Sequence, residues 1–136
     1  MRKKIFENSG SADKIHDELI RSVVTQLESK GFMVRANHIH HPNGTPRTVK
    51  GYTPDIYAFK NMKEVIIEVE TCKTIHADNL LKWKRFSFNN GMRFWLVVPP
   101  CCKESAEMKK EVFNIPMEIY CTNLNGFGSG SFKSNI

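Results

Sequence analysis

The sequence predicts a three-layer α/β domain, in which a mixed β-sheet with a central hairpin is flanked by helices. Segments with helical apolar spacing alternate with strand-like segments in the order α-β-β-β-α-β-α-β. Two of the strand segments are separated only by residues 61–63, which indicates an antiparallel hairpin. Residues 93–98 are almost entirely apolar, as is typical of a strand covered by helices on both faces.

The first half of the chain is predicted to contain one helix and three strands. Residues 14–30 have apolar side chains at three- and four-residue spacings, so we expect an amphipathic helix, capped by residues 11–13 and ended by Gly31. Residues 1–10 are interpreted as a loose leader. Residues 32–37 form a predicted strand, residues 38–51 a loop, and residues 55–60 and 64–71 the two strands of the hairpin.

The second half is predicted to alternate helices and strands. A helix is expected over residues 76–89, followed by the apolar strand at residues 93–98, which Pro99 and Pro100 end. A short charged helix over residues 105–113 and a last strand over residues 117–121 complete the domain. We therefore predict a single domain over residues 1–122 and a flexible tail, rich in glycine and serine, over residues 123–136.

Composition narrows the functional class. The chain has 136 residues, of which 40% are hydrophobic, a fraction that excludes a wholly disordered protein. Its apolar runs are far shorter than the ~20 residues that a membrane helix needs, so no membrane partner is expected. The basic N-terminus lacks the apolar stretch of a secretory signal, and we expect a cytoplasmic protein. The net charge of +6 suits a polyanionic partner, although an ordinary solvated basic surface would give the same value.

The four cysteines are expected to be reduced thiols. Their positions (72, 101, 102 and 121) follow no disulfide-scaffold spacing, and cytoplasmic proteins keep their thiols reduced. The neighbours Cys101 and Cys102 are not expected to chelate one ion. His38, His40 and His41 are interpreted as loop residues, since no second pair of ligands at zinc spacing accompanies them.

Acidic residues in apolar strands are the most informative feature. Glu68 and Glu70 interrupt a run of valines and isoleucines, and residues two apart on a strand point to the same face. Asp55, directly after Pro54, opens the preceding strand and would pair close to both glutamates. Carboxylates this close repel each other unless a cation lies between them, and hard oxygen ligands suit Mg²⁺ or Mn²⁺. The alternative is a strand that merely has an acidic solvent face.

These residues resemble the motif of the PD-(D/E)xK nuclease superfamily, which includes restriction endonucleases and Holliday-junction resolvases. The resemblance lies in GYTPDIYAF, ending at Phe59, and IEVET, ending at Thr71, and it extends over residues 14–98 in element order. It implies a restriction-endonuclease-like fold and a Mg²⁺- or Mn²⁺-dependent endonuclease that hydrolyses DNA phosphodiester bonds. Asp55 and Glu68 correspond to the family's metal ligands.

The third motif position departs from the family pattern. Glu70 stands where the family usually has lysine, and the resemblance implies that it acts as a metal ligand or positions the attacking water. Lys73, just past the strand, is a candidate for the missing catalytic cation, and Lys82 and Lys84 on the next helix are further sources. Glu18, on the first helix, matches a position from which family members supply another acidic ligand; an exposed helical glutamate is an equal alternative.

The expected polyanionic partner is DNA. The candidate phosphate contacts are Arg47, Lys50, Lys82 and Lys84. The alternative is that these residues are ordinary solvated charges with no role in binding. The resemblance also implies a homodimer or a separate recognition subunit as protein partners. The alternative function is a catalytically inactive nucleic-acid-binding or assembly module on the same fold, which the missing lysine supports.

Overall fold

A computed structural model of the chain describes residues 2–76, 79–89 and 91–122, and of residues 2–13 only the backbone. The helices are α1 (Arg2–Ser29), α2 (Leu80–Ser87) and α3 (Lys103–Val112), and the strands are β1 (Met33–Ala36), β2 (Ile56–Lys60), β3 (Lys63–Val69), β4 (Met92–Val98) and β5 (Glu118–Cys121). The predicted order of helices and strands is confirmed. Within the described residues, no helix combines the length and apolar character needed to cross a membrane.

Two helices begin four or more residues away from the predicted position. Helix α1 begins at Arg2, so residues 2–10 of the predicted loose leader belong to the helix instead. Those residues include several good helix formers and no proline, and a single glycine within a helix costs only about 1 kcal/mol. Helix α2 begins at Leu80 rather than at residue 76, because residues 74–76 form a short 3₁₀ turn. The tail predicted over residues 123–136 lies outside the described residues.

The five strands form one mixed sheet in the order β1-β2-β3-β4-β5. β1, β2 and β3 pair antiparallel, and the predicted hairpin is the β2–β3 pair, with Ile56 opposite Ile67. β3, β4 and β5 pair in parallel. Because β1, β3, β4 and β5 all run in one direction and β2 runs against them, four strands end at the edge of the sheet where β2 begins. We call this edge the functional edge.

A separate apolar core covers each face of the sheet. On one face, α1 packs its apolar stripe against alternate residues of the strands, including Val65, Ile67 and Val97. On the other face, Trp83 and Phe86 of α2 and Ala106 of α3 pack against the intervening residues, such as Ile66 and Leu96. Helices therefore flank the sheet on both sides, and β3 and β4 are buried along most of their length.

The cysteines differ from the prediction. A disulfide joins Cys72 to Cys101, across 29 residues of sequence, so the expectation of reduced thiols is wrong for this pair. Cys72 follows the end of β3, and Cys101 follows the end of β4. Parallel neighbours end side by side, which brings the two Cα atoms to 6.8 Å of each other. Cys102 and Cys121 are free thiols.

Candidate active site

Asp55 and Glu68 form the centre of a buried polar cluster at the functional edge. The Asp55 backbone N–H donates a 2.9 Å hydrogen bond to Glu68 Oε2, and the Val69 N–H donates a 2.9 Å hydrogen bond to Asp55 Oδ2. The hairpin register continues the Ile56–Ile67 pair by one residue, which places Asp55 opposite Glu68. Asp55 is 5% exposed, Glu68 1% and Glu70 4%. Carboxylates so buried need compensating partners, because an unpaired charge is costly to remove from water.

His16 supplies one such partner from helix α1. It precedes Ile20, Val23 and Leu27 by four, seven and eleven residues, so it lies on the helical stripe that packs against the sheet. Its Nε2 is 3.2 Å from Asp55 Oδ2 and 2.9 Å from the Val69 carbonyl oxygen. Burial lowers the pKa of His16, but the hydrogen bond to Asp55, the Asp55 charge, the Val69 carbonyl and Glu70 together raise it to about 9.

His38 approaches Asp55 from the loop after β1. Its Nε2 is 3.4 Å from Asp55 Oδ1, and its ring meets the His16 ring edge-on, with centroids 5.4 Å apart. The His38 backbone has a φ of 74°, in the left-handed region that non-glycine residues rarely adopt. The Asn37 side chain accepts the His38 N–H, and the Asn37 N–H donates to the Asp55 carbonyl. The hydrogen bond to Asp55 raises the pKa of His38.

The two central carboxylates have opposite electrostatic environments. Burial alone would raise the pKa of Asp55, but hydrogen bonds from His16 and His38 outweigh it and hold that pKa below its ordinary value. Burial and the nearby Asp55 charge raise the pKa of Glu68 well above its ordinary value, with Lys82 opposing them only in part. Asp55 is thus held ionised, whereas Glu68 gains most from any further positive charge.

Lys82 brings a cation to the cluster from helix α2. Its Nζ lies 2.9 Å from Glu68 Oε1, and its side chain is only 28% exposed. Burial lowers the pKa of Lys82, but the charge of Glu68 and the hydrogen bond to it outweigh burial and raise that pKa. A lysine is therefore present beside the carboxylates, although it comes from a helix on the opposite face of the sheet from α1.

Glu70 lies one residue beyond the end of β3. Its backbone N–H donates to the Val97 carbonyl oxygen, which keeps it beside β4. The turn that follows is closed by Thr71 Oγ1, which accepts the N–H groups of Lys73 and Thr74. Burial raises the pKa of Glu70, and the Asp55 charge adds to this, while hydrogen bonding with Thr74 opposes it.

Other residues predicted for the site lie elsewhere. Glu18 is exposed and pairs with Arg21 at 3.4 Å; two residues along a helix correspond to about 200° of rotation, so it lies on the opposite side of α1 from His16. Lys73, Lys84, Arg47 and Lys50 are all exposed. Lys50 Nζ donates to the Phe88 carbonyl oxygen at 2.7 Å, and Arg85 donates to the Lys50 carbonyl, so this pair ties the loop to the end of α2.

His16 is the site residue that sequence reasoning missed. A signal was present, because a histidine within the buried stripe of an amphipathic helix needs a polar partner in the core. His38 was noted only as part of a loop cluster, and the three histidines of that cluster have different surroundings. His41 pairs with Glu28 at 2.8 Å and His40 is exposed, so only His38 reaches Asp55.

The cluster has the spacing of a metal site. One nitrogen from each of His16 and His38 and one oxygen of Asp55 lie within 4.8 Å of one another. Two imidazoles and a carboxylate form a donor set that transition metals such as Mn²⁺, Fe²⁺ and Zn²⁺ accept, whereas Mg²⁺ prefers oxygen alone. The residues present therefore fit a divalent cation at Asp55, with Glu68 beside it.

The chain matches none of the protein-family models, curated proteins or solved structures with which it was compared. The case for a functional site therefore comes from the geometry of its residues. That geometry is a buried Asp55–Glu68 pair, flanked by His16 and His38 on one side and by Lys82 on the other.

Proposed function

We propose that this protein is a divalent-metal-dependent nuclease that hydrolyses DNA phosphodiester bonds and has a restriction-endonuclease-like fold. The observation that carries the proposal is the hydrogen-bonded pair of buried carboxylates across the hairpin, in which Glu68 accepts the Asp55 N–H. A hairpin that begins with Asp55 after Pro54, and continues through Glu68, is also where the resemblance to the PD-(D/E)xK superfamily lies.

The proposed cofactor is a divalent cation held by His16, His38 and Asp55. A cation of this kind lowers the pKa of bound water and neutralises charge on a phosphoryl group. The two imidazoles favour Mn²⁺ over Mg²⁺ as the better activator. Without a cation, protons on His16 and His38 balance the Asp55 charge, as the raised pKa values of both histidines indicate. Cations and protons would therefore compete for the same three side chains.

Lys82 is proposed to do the work of the motif lysine that Glu70 replaces. Its Nζ, 2.9 Å from Glu68 Oε1, is close enough to the carboxylates to stabilise negative charge that develops on a phosphate in the transition state. This placement weakens the inactive-module alternative, whose main support was the missing lysine. Lys73 and Lys84, the other two candidates, are both exposed. The Lys73 backbone N–H donates a hydrogen bond to Thr71 Oγ1.

Glu70 is proposed to accept a proton from the attacking water. Burial raises its pKa, and a carboxylate with a raised pKa is a stronger base than one in water. A hydrogen bond with Thr74 lowers the pKa of Glu70, so the carboxylate ionises more readily than it would if burial acted alone. In this assignment Glu70 serves as the base and Lys82 supplies the positive charge. Two residues would thus share the role of the single lysine in the PD-(D/E)xK motif.

The DNA backbone is proposed to lie along basic residues on the α2 side of the sheet, from Pro54 beside the functional edge toward the end of α2. Arg47 lines a groove of about 370 Å³ together with Arg35, Tyr57 and Pro54, the residue before Asp55. Two arginines beside an aromatic ring are suited to contact phosphates and an unstacked base. Lys50 and Lys84 are exposed and extend the basic surface, in keeping with the net charge of +6.

The experiment is a cleavage assay with the full chain on single-stranded, duplex and branched DNA, with Mg²⁺ or Mn²⁺. We expect cleavage of at least one form, faster with Mn²⁺, and a loss of about 100-fold or more in Asp55→Asn. Equal cleavage by Asp55→Asn would show that the activity does not arise at this site. A wild-type protein that binds DNA but cuts none of the three forms would instead support the binding module.

A further inference from the structure

All four cysteines of the chain follow or end strands at the functional edge. Cys72 follows β3, Cys101 and Cys102 follow β4, and Cys121 is the last residue of β5. Cys102 is part of the apolar core under α2 and α3, and Cys72 and Cys121 pack against that core. Positions that are scattered in the sequence are thus gathered because three parallel strands end side by side.

Three of the sulfur atoms lie close enough together to share one ion once the disulfide is reduced. The Cys72 and Cys101 Sγ atoms are bonded to each other, and both lie within 4.8 Å of the Cys102 Sγ, although adjacent cysteines were not expected to chelate. Tetrahedral zinc with bonds of about 2.3 Å places its sulfur ligands about 3.8 Å apart. Cys102 points inward, with its thiol 3.6 Å from the Pro99 carbonyl oxygen, while Cys101 is exposed, so the site has both a buried wall and an open side.

Cys121 is the candidate for the fourth ligand, from the neighbouring strand. It lies opposite Val98, and Val98 precedes Cys102 by only four residues, so both cysteines are at the same end of the sheet. Its Sγ is not among the three that lie within 4.8 Å of one another, so it would move toward them when the ion binds. A bound cation would deprotonate the thiols and balance the charge of the resulting thiolates.

We propose that Cys72, Cys101, Cys102 and Cys121 form a thiolate site for Zn²⁺, and that this site exists only when the Cys72–Cys101 disulfide is reduced. Four sulfur ligands are the donor set of structural zinc sites. The proposed ion would join the ends of β3, β4 and β5, the same strand ends that the disulfide joins in part. The proposal is independent of the nuclease assignment, because it uses none of the carboxylates or histidines.

Interconversion of the two forms is a balanced redox step. A phosphine reductant takes up oxygen from water and delivers two electrons, so that the disulfide becomes two thiols and the phosphine becomes its oxide. Zinc binding then releases the thiol protons to the buffer without any further change of oxidation state. An oxidant such as a small-molecule disulfide would reverse the first step and expel the ion.

The test uses Co²⁺ as a spectroscopic probe for Zn²⁺ in the full chain, reduced with a phosphine and freed of reductant under nitrogen. We expect one equivalent of Co²⁺ to give the thiolate-to-cobalt charge-transfer band and the intense visible bands of a tetrahedral site, both removed by added Zn²⁺. The oxidised protein should show neither band. Reduced protein that takes up Co²⁺ without a charge-transfer band, or takes up none, would overturn the proposal.

Variants identify the ligands. Cys102→Ser leaves the disulfide pair intact and should abolish the tetrahedral spectrum, and Cys121→Ser should lower the charge-transfer intensity. Glu18→Gln, on the exposed side of α1, is the control and should leave the spectrum unchanged. An unchanged spectrum in Cys102→Ser would contradict the site, and one in Cys121→Ser would contradict the fourth ligand.

A measurement on the wild-type chain tests the proposal even if the variants fail to fold. Reduced wild-type protein is treated with iodoacetamide with and without Zn²⁺, and the labelled cysteines are identified by mass spectrometry. Zinc should suppress labelling of Cys72, Cys101 and Cys121 together. Labelling that Zn²⁺ does not change would contradict the proposal even if every variant misfolded.

Discussion

The functional edge has two halves that differ in chemistry although the same sheet builds both. The half formed by β1, β2 and β3 gathers carboxylates, imidazoles and a lysine around Asp55. The half formed by the ends of β3, β4 and β5 gathers sulfur, with Cys72 and Cys101 joined and Cys102 beside them. Glu70 lies at the junction, since its charge acts on both His16 and Cys102.

The difference between the two halves shows that strand direction determines which residues meet at an edge of the sheet. Parallel strands deliver the residues that follow them to one side, so cysteines 29 residues apart become partners. An antiparallel hairpin instead brings the residue before one strand to the last residues of the next, as Asp55 bonds to Glu68 and Val69. Hard donors and soft donors consequently occupy separate places, which suit different cations.

The largest expected effect belongs to the carboxylate half. Glu68→Gln keeps the shape of the side chain and removes its charge, so cleavage should fall by about 100-fold or more, as when a transition-state contact is removed. Glu118→Gln is the matched control, because Glu118 is a strand glutamate at the opposite edge of the sheet, where it pairs with Arg93 at 2.8 Å. Comparable losses in both variants would show that the loss does not arise from the buried carboxylate cluster.

Lys82→Met is expected to have the next largest effect. It retains the length of the side chain and removes the charge that lies 2.9 Å from Glu68, so cleavage should fall by about 10- to 100-fold. Lys63→Met, at the exposed start of β3, is the control and should change cleavage by less than about twofold. If the control loses as much as Lys82→Met, both lysines act only as general DNA contacts, and Lys82 does not substitute for the motif lysine.

The stability effects of the two central carboxylates should have opposite signs. Asp55→Asn loses charged hydrogen bonds to His16 and His38 and should lower the free energy of unfolding at neutral pH by about 1–3 kcal/mol. Glu68→Gln removes an ionisable group whose pKa burial raises, and should leave that free energy unchanged or higher. Urea unfolding of both variants without metal ions tests the contrast; destabilisation by both would refute it.

The smallest effect is a pH dependence of stability that arises from His16. A histidine whose pKa rises from 6.5 to about 9 on folding adds stability that is fully present below pH 6.5 and is lost as pH rises through 9. His16→Gln should therefore be less stable than wild type by about 2 kcal/mol at pH 6, with a smaller deficit at pH 9.

Glu18→Gln serves as the control for the pH series, since Glu18 forms only an exposed pair with Arg21. Its free energy of unfolding should stay within about 0.5 kcal/mol of wild type at both pH values. A His16→Gln deficit that is the same at pH 6 and pH 9 would show that the histidine stabilises the protein by packing alone.

The order of elements and the hairpin could be predicted from the sequence because both depend on local pattern. Apolar spacing predicted the helices and the buried strand over residues 93–98, and the three-residue gap predicted the β2–β3 pair. The start of α1 could not be predicted in this way. Residues 2–10 have no apolar stripe that would distinguish a helix from a loose leader.

The site could be predicted only where its residues are neighbours in the hairpin. Asp55 and Glu68 follow from strand pairing, whereas His16 and Lys82 reach them from helices on opposite faces of the sheet. Contacts of that kind depend on how each helix packs, which local pattern does not determine. The Cys72–Cys101 disulfide was missed for a related reason, since it requires knowing that β3 and β4 are parallel neighbours.

The most direct test of the central claim is the cation dependence of DNA cleavage by the wild-type chain. Protein freed of metal with EDTA and then dialysed should cut none of the three DNA forms, and Mn²⁺ added back should start cleavage that a second addition of EDTA stops. A strand-cutting rate that is the same with and without Mn²⁺, on a form that the protein does cut, would contradict the account.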